Sequence, residues 1–230
     1  FYDNPLWTAN NVKNTSLVNR TTGNVQANYE PLNWLSFTGR VGLDTYDDRR
    51  KVFFPIQNAT TPSGQSTEEA IGETRINVDL KGTASRSLTD DISGTLTLGT
   101  QFNHRELDDL GGSIQNFSNP VGPRSLSNAV SEDVSAFVFN EEERVLGGYS
   151  ELTLDFYDQV FATLRGRADQ ASTFGPDADE VYYSPSAQLN WHVHKTLLPD
   201  VDALSFFALR GSYGKVGRSP EHYQSFTTFE

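Results

Sequence analysis

GYSELTLDFYDQVFATLRGRAD, residues 148–169, alternates apolar and polar side chains on both sides of one short break. Leu152, Leu154 and Phe156 stand against Glu151, Thr153 and Asp155. After Tyr157, Asp158 and Gln159, Val160, Ala162 and Leu164 stand against Phe161, Thr163 and Arg165. A period of two belongs to strands, so the stretch reads as a hairpin of two strands, each with one apolar face. The same period recurs along the chain. It gives eight strands, at about residues 22–30, 34–46, 74–85, 92–104, 146–156, 160–170, 182–193 and 205–215.

What the apolar faces touch is constrained by composition. Only 36% of the 230 residues are hydrophobic, and mean hydropathy is -0.50. Globular domains run nearer ~45–50% apolar, so a thick core is under-supplied. The 12% of aromatic residues argues against a disordered chain. A net charge of -12 removes the basic footprint of a nucleic-acid binder. The absence of Cys removes disulfides, thiolate zinc sites and thiol nucleophiles. No apolar run reaches the ~20 residues of a membrane helix. That leaves a membrane barrel open, because its strands are apolar only at alternate positions. There is no Met at position 1, and the chain stops on SFTTFE; a processed or incomplete chain is expected.

Two architectures answer to this alternation. In a soluble sandwich the apolar faces meet each other. In an outer-membrane barrel they meet lipid. The connections favour the barrel. Short turns at residues 31–33, 87–91 and 157–159 alternate with long segments at 47–73, 105–143 and 171–181, and the last connection, 194–204, is of moderate length. Barrels put short turns at one end and long loops at the other. The strands run at about the ~9–11 residues of a spanning strand or slightly longer, against a globular mode of ~5–6. Aromatics cluster at both ends: Tyr29, Trp34, Tyr157 and Phe206 near the short turns, Tyr46, Phe102, Tyr182 and Tyr213 near the long loops. The expected fold is therefore all-β, an antiparallel up-and-down transmembrane β-barrel. Its lipid-facing set is Leu35, Phe37, Val41, Leu96, Leu98, Leu152, Leu154, Leu164, Leu189, Trp191 and Leu209. Its lumen-facing charges are Arg40, Asp44, Arg75, Asp79, Lys81, Arg165, Arg167, Asp169 and Arg210. Structural pairing among those charges, or with a plug, is favoured over ligand binding.

Several stretches resemble one family. NPLWTANNVKNTSLVNRTTGNVQANYEPLNWLSFTGRVGLDTY, residues 4–46, carries an Asn-Pro-x-Trp element, then Asn19-Arg20, Gly23-Asn24, Trp34-Leu35-Ser36 and Gly42-Leu43-Asp44. Leu6 departs from the aromatic common at that position. Tyr149, Glu151, Leu152 and Leu154 make a Tyr-x-Glu-Leu-x-Leu strand. YYSPSAQLNWHV, residues 182–193, and LRGSYGKVGRSP, residues 209–220, follow in order. Together they resemble the barrel of SusC/RagA-type TonB-dependent outer-membrane receptors of the Bacteroidota. The resemblance implies a fragment of a barrel of about 22 strands, with the plug and TonB-contacting regions outside the chain. It implies import of a glycan or peptide, TonB as energy source, a SusD-like surface lipoprotein as lid, and location in the cell outer membrane. No bond chemistry is expected. The segments 47–73, 105–143 and 217–230 become candidates for lid or ligand contact. A self-contained eight-stranded barrel of structural or adhesive role and a soluble carbohydrate-binding sandwich are the alternatives.

Other constellations carry less. Gly211, Gly214 and Gly217 lack P-loop spacing and read as glycines closing a strand. His192 and His194 share a strand face without a third ligand. Acidic groups at Asp47-Asp48, Asp108-Asp109, residues 141–143 and residues 177–180 lack EF-hand spacing. They read as solvated loop surface, with Ca²⁺ in acidic external loops as the alternative. No cofactor is otherwise expected.

Overall fold

A computed structural model of the chain describes residues 2–129, 131–174, 181–197, 206–217 and 220. A short helix, α1 (Pro5–Asn11), is capped by Asn4, whose side chain accepts from the Leu6 N–H. Five long strands follow: β1 (Lys13–Leu32), β2 (Leu35–Phe54), β3 (Gln65–Ser87), β4 (Ile92–Gln115) and β5 (Val134–Phe156). Then come β6 (Val160–Ala171), β7 (Tyr182–Tyr183), β8 (Ser186–Trp191), helix α2 (Val193–Leu197) and β9 (Leu209–Gly214). The order in the sheet is β1-β2-β3-β4-β5-β6-β8-β9, with β7 beside β6. Neighbours in sequence are neighbours in space, as in an up-and-down barrel wall. The described strands do not close on themselves: β1 and β9 are the two edges.

The five long strands outrun the alternation that announces them. The expected 47–73 loop shrinks to residues 55–64, and the expected 105–143 loop to residues 116–133. Residues 13–21, not expected as strand, belong to β1. Strands β1 to β5 run 20 to 24 residues, about twice the ~9–11 needed to span a bilayer. The physical reason lies in β2. Past Tyr46 it reads Asp-Asp-Arg-Arg-Lys, charged on both faces. A strand wetted on both sides has no hydrophobic period, yet its charges still pair across the sheet. The expected 182–193 strand is broken at Ser184-Pro185, because Pro has no N–H to donate. Ser184 still exchanges bonds with Arg167, at 2.8 and 3.2 Å. The 205–215 strand is observed only as β9, and residue 205 lies outside the described residues.

The chain divides into two compact units. One comprises Phe1–Gly23, Leu43–Arg75 and Arg105–Glu142. It holds both long loops and a small core of its own. Phe53 and Ile114 are buried there. Phe117 stacks on Phe53 at 5.6 Å, and the Arg124 guanidinium lies 5.0 Å from the Phe53 ring centre. Gly64 has φ +83 and lies so close under Phe117 that a Cβ would sit 2.4 Å from its ring. Glycine is required there on both counts. Buried Asn58 accepts from the Thr60 and Thr61 N–H groups, and Asn128 accepts from the Asn119 N–H. The loops are thus folded structures rather than slack connections.

The other unit comprises Asn24–Gly42, Ile76–His104 and Glu143–Glu230. It holds the short turns. Tyr157 and Asp158, at φ 58 and 54, form the β5–β6 turn, with the Gln159 N–H donating to the Phe156 carbonyl at 3.0 Å. Paired positive φ values match the right-handed twist of a hairpin. Register fixes the faces. Leu152 opposes Leu164 and Leu154 opposes Ala162; Ala162 opposes Leu189 and Val160 opposes Trp191; Trp191 opposes Leu209. One-residue steps away, Glu151 opposes Arg165 and Tyr149 opposes Arg167. The only buried apolar residues described in this unit are Ala171 and Val193. The sheet is otherwise a single layer, with no second sheet packed on it among the described residues.

Candidate functional site

The polar face of the loop-bearing unit is a ladder of ion pairs across five strands. On β1, Arg20 gives Nε and Nη2 to the two Asp44 oxygens of β2, at 2.9 and 2.6 Å. On β3, Arg75 gives the same two nitrogens to Glu73. Arg105 of β4 joins Glu73 at 2.6 Å to Glu141 of β5 at 2.8 Å. Nearer the loops, Asp48 is buried and accepts from the Ser16 hydroxyl at 2.6 Å, the Tyr46 hydroxyl at 3.0 Å and Arg50 Nε at 2.7 Å. Arg50 also reaches Glu69. The ladder encloses a polar cleft of about 310 Å³ lined by Arg20, Asp44, Tyr46, Glu73 and Arg75.

The polar face of the turn-bearing unit is built differently. Arg165 pairs with Glu151 and Arg167 with Asp169, while Arg167 also reaches Gln101 of β4 at 3.1 Å. Tyr149 on β5 crosses β4 at Gly99 and extends its hydroxyl towards Asp79 of β3 at 3.5 Å. A Cβ on Gly99 would stand 2.3 Å from the Tyr149 ring, and one on Gly147 would stand 2.3 Å from the Asp169 carboxylate. Threonines fill the intervals: Thr83 with Thr97 and Thr153 with Thr163, both at 3.1 Å. Arg40 bonds Gln26 of β1, and Arg210 bonds Asn190. Lys81 is exposed and makes no ion pair among the described residues.

The apolar face carries the opposite chemistry. Phe37 packs against Gly82, Leu80 against Gly39 and Leu154 against Gly94. Leu35 and Val41 share the period of Phe37, and Leu96 and Leu98 that of Gly94. Among the described residues nothing covers these side chains: Leu98 is 54% exposed, Leu164 56% and Val41 51%. None of the assigned apolar-face residues is buried. Along β2 the apolar run on this face ends at Leu43, and Asp47, Arg49 and Lys51 take its place.

Of the expected lumen charges, Asp44, Arg75, Asp79, Arg165, Arg167 and Asp169 thus enter polar-face networks. Their partners Arg20, Glu73, Arg105, Glu141 and Glu151 are not among the expected lumen charges. A signal existed for some: Asp48/Arg50, Glu73/Arg75 and Arg167/Asp169 are opposite charges two residues apart, hence on one strand face. His192 and His194 lie in an aromatic cluster with Phe161 and Phe206, ring centres 5.1 to 5.8 Å apart. Among the described residues no group of three or more His, Asp or Glu is placed to hold a metal ion. The acidic stretch 177–180 lies outside them.

The family model described as TonB dependent receptor-like, beta-barrel matches residues 1–229. The chain belongs to that family. Among solved structures it is similar to the RagAB peptide transporter, with TM-score 0.82 and 20% identity over 91% of this chain and 24% of the matched one. The RagAB peptide importer gives TM-scores of 0.81 in its closed-closed state and 0.82 in its open-open state, again at 20% identity. At that identity the likeness is one of fold, and it agrees with the SusC/RagA resemblance of the motifs. No curated protein sequence matched. The chain spans about a quarter of the length of the matched RagAB chains. The open edges β1 and β9 are those of a segment of a larger barrel wall.

In this receptor barrel the ladder beyond the apolar run is sensitive to acid. The Ser16 hydroxyl, Arg50 and Tyr46 hold the Asp48 carboxyl below its usual value, against the opposing effect of burial. Such a depressed group contributes stability that is present above its unfolded value and lost as pH falls through the folded one. Protection of the amides around residues 46–50 of the intact receptor, taken relative to the intrinsic exchange rate at each pH, is therefore expected to fall as pH drops below about 4. Asp48→Asn removes that dependence and raises exchange at neutral pH. An unchanged pH profile in the variant would assign the acid response to other carboxylates.

Proposed function

We propose that the chain is part of the outer-membrane barrel of a TonB-dependent transporter that imports glycans or peptides. One observation carries the reading: a single sheet with an uncovered apolar face and an opposite face built of ion pairs and hydroxyls. Lipid suits the first, and a wet lumen or a plug suits the second. The sandwich alternative requires a second layer over the apolar face. The self-contained barrel requires its edge strands to pair with each other. The described residues supply neither.

Energy would reach the barrel from TonB through parts of the receptor outside this chain. A SusD-like lipoprotein would close over the folded loops 55–64 and 116–133. Peptide is one of the two substrate classes because the RagAB structures are described as a peptide transporter and importer; glycan is the other because SusC-type barrels share the motifs. The test is uptake by cells carrying the intact receptor, supplied with a fluorescent oligopeptide mixture or oligosaccharide mixture. Uptake of one class that stops when TonB is deleted is the expected result. Uptake of neither class, or uptake indifferent to TonB, would remove the reading. Deleting residues 116–133 should release the lipoprotein in a pull-down; full retention would exclude that loop as its seat.

A further inference from the structure

Arg20 and Arg75 come from strands on either side of β2 and open onto the same polar cleft. Each is already gripped by a carboxylate through Nε and Nη2, Arg20 by Asp44 and Arg75 by Glu73. In both, Nη1 has no hydrogen-bond partner among the described residues. The two signs are unequally exposed. The guanidinium side chains are 60% and 52% accessible, against 24% for Asp44 and 20% for Glu73. The four charges sum to zero, yet the cleft shows water mainly its cationic half. Glu73 is held a second time by Arg105, and the Tyr46 hydroxyl is committed to Asp48. The forks are therefore fixed before any ligand arrives, and little side-chain entropy is lost on binding. A planar acceptor with two oxygens matches a pair of guanidinium edges better than a hydroxyl or an amide does.

We infer that this cleft is a carboxylate-binding subsite on the polar wall of the receptor, with the carboxylate of a passing substrate accepting from Nη1 of Arg20 and Nη1 of Arg75. The inference rests on the import reading above and narrows it to substrates bearing a carboxylate. Two sources share that chemistry, the C-terminus of a peptide and the uronate of an acidic glycan.

The test uses the intact purified receptor and two matched probe pairs. One is a decapeptide with a free or an amidated C-terminus; the other is an oligogalacturonate, free or methyl-esterified. Equilibrium binding is expected to favour the free acid about tenfold in one pair, which also names the source. Arg75→Gln should bring that ratio close to one. It leaves Glu73 paired with Arg105, so no carboxylate is orphaned. Arg75→Lys keeps the charge without the fork and should give an intermediate ratio. Equal binding of free and blocked probes, or a preference untouched by Arg75→Gln, would overturn the subsite and leave the import reading standing. Failure to bind any of the four probes would overturn the subsite, and the TonB-dependent uptake test above decides the import reading separately.

Discussion

Leu98→Arg is expected to lower the stability of the intact receptor in lipid vesicles by about 2–4 kcal/mol, whereas its neighbour Thr97→Arg should cost about 1 kcal/mol or less. The two positions are adjacent in β4 and differ only in face. Leu98 lies near the middle of the run Ile92, Leu96, Leu98 and Phe102, and none of the described residues covers it. If lipid is the neighbour, a guanidinium there has no water and no partner, and the cost is that of a charge near the bilayer midplane. Thr97 faces Thr83 on the polar side, so the longer side chain loses one modest hydrogen bond but finds other polar groups. Denaturant unfolding of both variants measures the difference. Equal losses would mean that both faces see similar surroundings, and the lipid assignment of the apolar face would fall.

Gly99→Ala is the second large effect, expected at about 1–3 kcal/mol for one methyl group. The Cβ would stand 2.3 Å from Cζ of Tyr149, and 2.5 Å from its hydroxyl oxygen. The ring must then lift off β4, losing its packing and its reach to Asp79. The cause is thus the tyrosine, and the double substitution isolates it. In a Tyr149→Ala background, Gly99→Ala should be nearly neutral, giving a coupling energy of about 1–3 kcal/mol between the sites. Additive losses would show that Gly99 is required for its backbone rather than for the ring above it.

The residues that announced the fold are those where one face is apolar. Residues 35–43, 92–102 and the hairpin 146–168 alternate in polarity, and there the strands and their two faces are legible in the sequence. Past Tyr46, before Arg75 and beyond His104 the strands continue with both faces polar, and hydrophobic period falls silent. Most of the ion-pair ladder sits there, which is why the alternation does not assign Arg20, Glu73, Arg105 and Glu141 to the lumen face while it does assign Asp44 and Arg75. Charge period would have served where hydrophobic period failed: Glu73 and Arg75 sit two apart, as do Asp48 and Arg50. The loop core was out of reach. Phe53 and Phe117 meet only after two strands have folded between them, and neither stands in a pattern. The family resemblance, by contrast, rested on short strand-end motifs in their order, and the match over residues 1–229 agrees with it.

The central claim is that the two faces of this sheet meet two different solvents. Nitroxide labels placed one at a time on residues 151–156 of the intact receptor in vesicles test it most directly, read by collision with oxygen and with a water-soluble nickel complex. The expected result is a period of two: high oxygen access at 152, 154 and 156, and low oxygen access at 151, 153 and 155. Uniform access along the strand, or nickel reaching Leu152 and Leu154 as freely as Glu151, would contradict it.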